Sequence, residues 1–457
     1  MGAGVPATPA TGKPGLLINR DFALLWSGRA ISNLGDWIFD LTLVLWIATT
    51  IARGQPWAPL AVSGVFLATS LPTFLIGPIA GVFVDRWDKR HTMLWTDALR
   101  AALIAALVPL AVTSGVPVVI QLGAIYAVVV LATACAQFFD PSRFALIGDL
   151  VPEPHRARAS SLMQLPANLA RIVGPALAAP LFFGLGVRWA LILNALSFVA
   201  SFLALRALHA PPSARSTASG ERPHVLREFG AGLRFFAGNR VLRTVLVSVV
   251  LVVLGFGALN ALNIFFVTSN LHAPARLYSF TTTAVGVGAV VGVALTGLLA
   301  PRLGVVRTFW ASMVALGLIV LVYARLTSFA PAVVLLFLLG IPNAAVDVAI
   351  GPLVLHVTPR AYLGRISAVL SPSVSLATML SLALAGFLDS TLLRGFHATL
   401  FGVAWGPVDT IFTLTGLLTV AGGFYALVNL RGVTLANDHG YVAPEASETE
   451  DVPDVPA

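Results

Sequence analysis

Two carboxylates, Asp36 and Asp40, stand four residues apart inside the apolar run 22–51. Ionisable groups inside a membrane-length apolar run are costly and mark candidate functional positions. A four-residue spacing puts both on one face of a helix. Two neighbouring acids away from water cannot both ionise cheaply, which suits proton exchange or the binding of a cationic compound. The alternatives are a solvated acid near the mouth of a cavity, or a structural pair. Arg171, beside Asn168 in the run 160–184, is the main buried cation candidate. It can hold Asp36 ionised in one state and release it in another. A static salt bridge between helices, or a side chain snorkelling to the surface, is equally open. Asp347, one turn after Asn343 in the run 330–356, is a cavity acid or a hydrogen-bonded packing group. Asn260 and Asn263 in the run 241–268 offer polar contacts to a substrate or bind helices together. Phe138, Phe265 and Phe266 line a hydrophobic pocket or belong to the core.

A second polar group is compressed into one stretch, Gly81-Val-Phe-Val-Asp85-Arg86-Trp-Asp88-Lys89-Arg90, between two apolar runs long enough to cross a bilayer. So many charges cannot lie in hydrocarbon, so the stretch must be a tight loop at one surface. Gly81 leaves room for close helix approach. Asp85 is placed to meet a helix N-terminus, where free N–H groups favour an anion. Arg86, Lys89 and Arg90 put positive charge at the membrane edge, the mark of the cytoplasmic side. Asp97 and Arg100 come early in the next run, and Asp140 ends the run 116–139 at the same face. Both acids are available to pair with Arg86 or Arg90 as a cytoplasmic latch. No enzymatic or metal constellation accompanies these groups. The eight His are scattered without a His-x-x-x-His pair, and no Walker-type glycine loop occurs. The single Cys135 excludes an intrachain disulfide and a multi-cysteine metal site. No enzyme activity, cofactor or metal is expected.

The elements that position these residues follow from composition. Of 457 residues, 57% are hydrophobic and 11% charged, and the mean hydropathy is +0.89. Water-soluble chains carry about 25% charged residues, so this is a polytopic membrane protein. Its apolar runs are continuous rather than alternating, which selects helices over a β-barrel. Twelve spans are expected, roughly 22–51, 59–84, 92–113, 116–139, 160–184, 187–209, 241–268, 278–300, 307–325, 330–356, 365–388 and 407–430. The net charge of +8 does not signal nucleic acid, because its distribution is topological. Most Lys and Arg lie in one alternate set of loops and tails; Arg53, Arg188, Arg276, Arg325 and Arg394 make up the other. That asymmetry puts both termini in the cytoplasm. No cleavable signal peptide is visible in residues 1–16.

Expected boundaries are a cytoplasmic tail 1–20, a six-helix half 21–209, a linker 210–240, a second six-helix half 241–431 and a disordered acidic tail 432–457. The linker joins a Pro/Ser-rich segment, 210–226, to a basic amphipathic stretch, 227–243, that lies on the membrane surface. Two echoes relate the halves. Gly81 to Arg86 reappears as Gly297-Leu-Leu-Ala-Pro301-Arg302, and Pro152, Arg158 and Ser160 recur at the same spacing as Pro359, Arg365 and Ser367. Gly286, Gly288 and Gly292 read as small-residue helix packing.

The loop resembles the loop 2–3 signature of the major facilitator superfamily, roughly G-x-L-a-D-R-x-G-R-[RK], with Gly81, Asp85, Arg86, Lys89 and Arg90 at the matching positions. Phe83 and Asp88 depart from it. Finer hints are Asp21-Phe22, Trp26, Gly28-Arg29 and Ser32-Asn33-Leu34-Gly35-Asp36, then Phe139-Asp140-Pro141 with Arg143, then Gly364-Arg365. These look like macrolide-efflux and enterobactin-exporter type drug:proton antiporters, and Gly174-Pro175 resembles part of the antiporter signature. The resemblance implies an all-α membrane protein of twelve helices in two pseudo-symmetric six-helix halves. It implies export of a hydrophobic small molecule in exchange for protons by alternating access. It also implies that Asp85 meets the eleventh span at about Gly364–Ser367 when the cytoplasmic side is closed. Partners are then the lipid bilayer, the substrate and protons, and the chain acts as a monomer. Low Lys against abundant Arg, with abundant Ala, points to a high-GC bacterial genome, and the topology without an organellar signal points to the inner (plasma) membrane. A metabolite or lysolipid transporter of the same fold is one alternative, and a non-transporting receptor or lipid scramblase another.

Overall fold

The structure, a computed structural model, describes residues 17–84, 86–209, 234, 236, 238–358, 363–400 and 403–432. Among these are twelve helices long and apolar enough to cross a membrane. In the first half they are α1 (Arg20–Ile51), α2 (Ala58–Leu75), α3 (Lys89–Val112), α4 (Val118–Leu150), α5 (Glu153–Gly184) and α6 (Val187–Ala207). In the second half they are α7 (Arg240–Asn270), α8 (Ala275–Leu303), α9 (Val305–Tyr323), α10 (Phe329–Val357), α11 (Val369–Leu392) and α12 (Pro407–Asn429). Large apolar side chains such as Val119, Phe144 and Leu298 are exposed, as lipid-facing positions are. The chain is a multi-pass membrane protein.

Local chemistry sets the helix ends. Asn19 caps α1 by accepting from the Phe22 N–H at 2.7 Å, and Asn239 caps α7 by accepting from Val241 and Leu242. α2 breaks at Ile76 and resumes as a short helix, Gly77–Val84. Pro78 falls at its second position, where a missing N–H costs nothing. Three helices end in a single π turn: α1 at Ile47–Ile51, α7 at Phe266–Asn270 and α11 at Leu388–Leu392. A two-stranded hairpin, β1 (Ala398–Leu400) and β2 (Val403–Trp405), connects α11 to α12, with Thr399 opposite Ala404.

Packing repeats between the halves. α1 packs on α5 and α6, α3 on α4 and α6, and α2 on α4. Six helices later, α7 packs on α11 and α12, α9 on α10 and α12, and α8 on α10. The main seams between the halves, α2 with α11 and α5 with α8, obey the same relation. The α8–α10 pair packs most closely: a Cβ on Gly288 would collide with the Phe337 carbonyl. Small residues there let two backbones touch.

The core shows how the halves are disposed. At the end remote from the α2–α3 loop, one hydrophobic cluster draws on both halves, from Leu43 and Val62 to Leu262, Leu382 and Phe412. At the loop end the core divides. One cluster there belongs wholly to the first half (Phe22, Met93, Phe139, Leu205) and two others wholly to the second (Phe309 and Leu353; Leu242 and Ile366). The halves are therefore sealed at the far end and parted at the loop end. At the seal, the Leu60 N–H on α2 donates to Ser390 Oγ on α11 at 3.1 Å.

The expected end of the fourth span moves. The run ending at 139 continues as helix to Leu150, because Pro141 is absorbed inside α4. Asp140 is thus an interior residue of α4 and not its terminus. The linker 210–226, most of 227–243, Pro359 and the tail beyond 432 lie outside the described residues.

Candidate functional site

A cavity of about 390 Å³ lies between the halves, walled by α1, α2 and α5 on one side and α7, α8 and α10 on the other. Trp37, Phe66 and Phe256 supply aromatic surface, while Asp40, Arg171 and Asn260 supply polar groups. Its size lies within the usual range for small-molecule sites, about 300–1,000 Å³. Gly174 on α5 packs against the Trp37 side chain, which sets the distance between α5 and α1 at this wall. Asn263 also borders the cavity but is committed to packing: its Nδ2 donates to Thr281 Oγ1 at 3.1 Å and its Oδ1 accepts from the Tyr323 hydroxyl at 2.6 Å. It joins α7, α8 and α9. Asp347 lines a smaller adjoining cavity of about 230 Å³ with Asn260, Asn343 and Phe256. The Arg171 guanidinium acts electrostatically on Asp347 from the opposite half.

Asp36 is not held by Arg171. Arg100 Nη2, on α3, lies 3.2 Å from both Asp36 oxygens. The same guanidinium lies over the Phe198 ring on α6, 4.0 Å from its centroid. Asp36 faces inward toward α3, whereas Asp40, one turn on, opens into the cavity. Sequence reasoning placed Arg100 beside the charged loop and missed this pairing. The available signal was that Asp97 and Arg100 stand three residues apart in an otherwise apolar helix.

The expected latch partners are also rearranged. Asp140 pairs with Arg29 on α1 at 3.4 Å and with Arg143 at 3.2 Å, not with Arg86 or Arg90. Asp97 is buried near Arg100 and Arg29. Lys89 pairs with Asp149 at 2.8 Å. Arg90 donates to the Leu205 and Arg206 carbonyls at 3.0 and 2.6 Å, closing the free C-terminal end of α6. Arg86 is exposed. The carboxylate that caps α3 is Asp88, which accepts from the His91 N–H at 2.6 Å. The departure from the signature at this position is therefore a helix cap. Among the described residues a Cβ at Gly81 would meet nothing within 4 Å, so the expected close approach is not seen there. Asp85 lies outside the described residues, as do the side chains of Gly364, Arg365 and Ser367.

Phe138 stacks on Trp87 at the loop end, centroids 5.6 Å apart. Phe265 borders a vestibule of about 910 Å³ at the sealed end. Phe266 is fully buried against Tyr323 and Phe412. In the vestibule Arg325 lies over Trp405 at 3.8 Å and donates to Thr413 and to the Asp409 carbonyl, fixing the hairpin to α12.

A profile of the transmembrane secretion effectors matches residues 15–389. The chain belongs to this family. Among its relatives, the uncharacterized MFS-type transporter YfiS of Bacillus subtilis is 26% identical, covering 95% of this chain and 99% of the relative. The multidrug efflux pump Tap of Mycolicibacterium fortuitum is 26% identical over 80% of this chain and 92% of the pump. Macrolide efflux protein A of Streptococcus pyogenes is 23% identical over 61% and 66% of the two chains. Solved structures share the fold at low identity. A bacterial homologue of the iron transporter ferroportin, in an inward-facing state, superposes with a TM-score of 0.68 at 14% identity, over 89% of this chain and 98% of that one. The nucleoside transporter NupG gives 0.65 at 14%, over 90% and 99%. The chain is thus a transporter of the major facilitator type with efflux pumps among its relatives.

Proposed function

We propose that this protein exports hydrophobic small molecules in exchange for protons by alternating access. The observation that carries the reading is the aromatic-walled cavity at the interface of two halves that are sealed at one end and parted at the other. Such a disposition presents the cavity to one side of the membrane at a time, and rocking about the fixed site would present it to the other. The positive charge of the α2–α3 loop marks the parted end as cytoplasmic. On this reading the conformation is inward-open, both termini are cytoplasmic and the protein works as a monomer in a bacterial inner membrane. It moves solute without covalent chemistry.

Within the cavity Asp40 is the charged group best placed to meet a cationic compound, with Trp37, Phe66 and Phe256 offering apolar and π surface. Asn260 would orient the cargo. Asp347 and Arg171 belong to opposite halves and line adjoining cavities, so their electrostatic interaction would change as the halves rock. The likeness to Tap and to macrolide efflux protein A supports the direction of transport.

The test is accumulation of ethidium in cells expressing wild type or Asp40→Asn, with and without a protonophore. Wild type is expected to lower accumulation, and the protonophore or the substitution to restore it. Equal accumulation in all four conditions, repeated with neutral and anionic dyes, would exclude drug export.

A further inference from the structure

The first half carries charge where the second half carries none. Helices α1, α3 and α6 pack together as α7, α9 and α12 do. At the matching depth the second triplet closes its seams with neutral groups, its Arg325–Asp409 ion pair lying beyond the end of α9. Gly255 lies against Thr415 and Thr419, and Ser248 Oγ donates to the Gly422 carbonyl at 3.1 Å. Asp97 and Arg100 stand as far from the start of α3, Lys89, as Met313 and Leu316 stand from the start of α9, Val305. Met313 and Leu316 are fully buried and apolar. The architecture therefore has no need of charge at this place. α3 nevertheless sets Asp97 and Arg100 there, 1% and 6% exposed.

Asp97 is the group left over. Arg100 is engaged by Asp36, and Arg29 by Asp140. Neither Asp97 oxygen accepts a hydrogen bond of normal geometry, and Arg100 Nε and Nη1 also lack acceptors among the described residues. The groups facing Asp97 are Arg29 and Asp36 from α1, Arg100 from its own helix, the Cys135 thiol from α4 and the Ser201 hydroxyl from α6. A carboxylate sealed from water, with only the Ser201 hydroxyl to donate to it and both nearby guanidiniums paired elsewhere, is well suited to hold a proton. Should the proton leave, the nearest guanidinium with nitrogens to spare is Arg100, one helical turn along.

The geometry points to Asp97 as a proton-binding site whose occupancy decides which acid Arg100 holds. This rests on the proton-coupled reading above and names the acid. With the proton on, Arg100 pairs with Asp36. When the Asp97 O–H bond breaks and the proton passes to water, the new carboxylate draws Arg100 away from Asp36. The guanidinium keeps its own proton throughout. Asp36 then loses its counter-ion, and α1 loses its charged tie to α3. Because α1 carries Asp40 into the cavity one turn further on, a proton bound inside the first half acts on the cavity wall.

Infrared difference spectra of the full-length protein in proteoliposomes, stepped from about pH 5 to about pH 9 without substrate, test this across the range of perturbed carboxylates. Wild type is expected to lose a protonated-carboxyl stretch as pH rises. Asp97→Asn, which is isosteric, should lack that band, and Asp97→Glu should show it displaced. Asp36→Asn frees Arg100 for Asp97, so the band should vanish at lower pH than in wild type. A wild-type band in Asp97→Asn, or no such band in wild type, would overturn the site. An unmoved band in Asp36→Asn would overturn the exchange of Arg100. Ethidium export driven by a pH gradient in the same vesicles separates the two readings. Export with a wild-type band in Asp97→Asn sinks the site alone, and the expected bands without export sink the coupling alone.

Discussion

Arg100 on α3 holds Asp36 on α1 through a single nitrogen, 3.2 Å from both carboxylate oxygens, while its guanidinium lies over the Phe198 ring. This ties two helices that do not otherwise share a main seam. Replacing Arg100 by Leu leaves Asp36 without its counter-ion. Breaking a buried pair costs about 3–5 kcal/mol, and the Asp36 side chain is 29% exposed, so we expect about 1–3 kcal/mol here. Adding Asp36→Leu should recover much of that loss. Thermal melts of the single and double variants in detergent would show it, and a double variant no more stable than Arg100→Leu would contradict the pairing.

Among the described residues, a hydrogen bond from Leu60 to Ser390 crosses the seal between the halves. Ser390→Ala removes it and should favour the conformation opened at that end. Ser63 is fully buried in the same seam, beside Gly386. In a Cys135→Ser background, Ser63→Cys reports opening by its rate of maleimide labelling. Loss of about 1 kcal/mol should raise that rate about fivefold. An unchanged rate would show that apolar packing alone sets the seal.

Asn263 joins three helices through Thr281 and Tyr323. Tyr323→Phe leaves the Asn263 oxygen short of a donor in a buried site and should cost about 1–3 kcal/mol. Ethidium export at saturating dye should change little, since the group is structural. A variant of wild-type stability with impaired export would instead make Asn263 a substrate contact.

Two glycines of the first half should respond in opposite ways. A Cβ at Gly35 would strike Ser197 and Asn194 on α6, so Gly35→Leu should destabilise by about 1–3 kcal/mol. Nothing approaches Gly81 in the parted conformation, and Gly81→Ala should stay within about 0.5 kcal/mol of wild type. Melting curves of the two variants decide this, and a large loss for Gly81→Ala would mean that the loop end is closed in solution.

Hydrophobic length and the two echoes were enough to read twelve helices in two related halves. Period and composition are local properties, and the bilayer imposes them on every span. Asp36 and Asp40 were legible as expensive groups for the same reason. Partner choice was not. Arg100 meets Asp36 across 64 positions of chain, and no periodicity records which faces of α1 and α3 turn toward each other. The fourth span was expected to end at Asp140, yet α4 runs on through Pro141 and carries Asp140 and Arg143 as interior residues. Asp88 read as a flaw in a loop pattern and proved to be the cap of α3.

The central claim is that a proton gradient drives export through the cavity between the halves. Its most direct test is ethidium movement in proteoliposomes with an imposed pH gradient, for wild type and Asp40→Asn. The account predicts uphill ethidium movement opposite to the proton flow in wild type, abolished by nigericin and absent in Asp40→Asn. Ethidium movement of equal rate and extent with the gradient collapsed, or in Asp40→Asn, would contradict it.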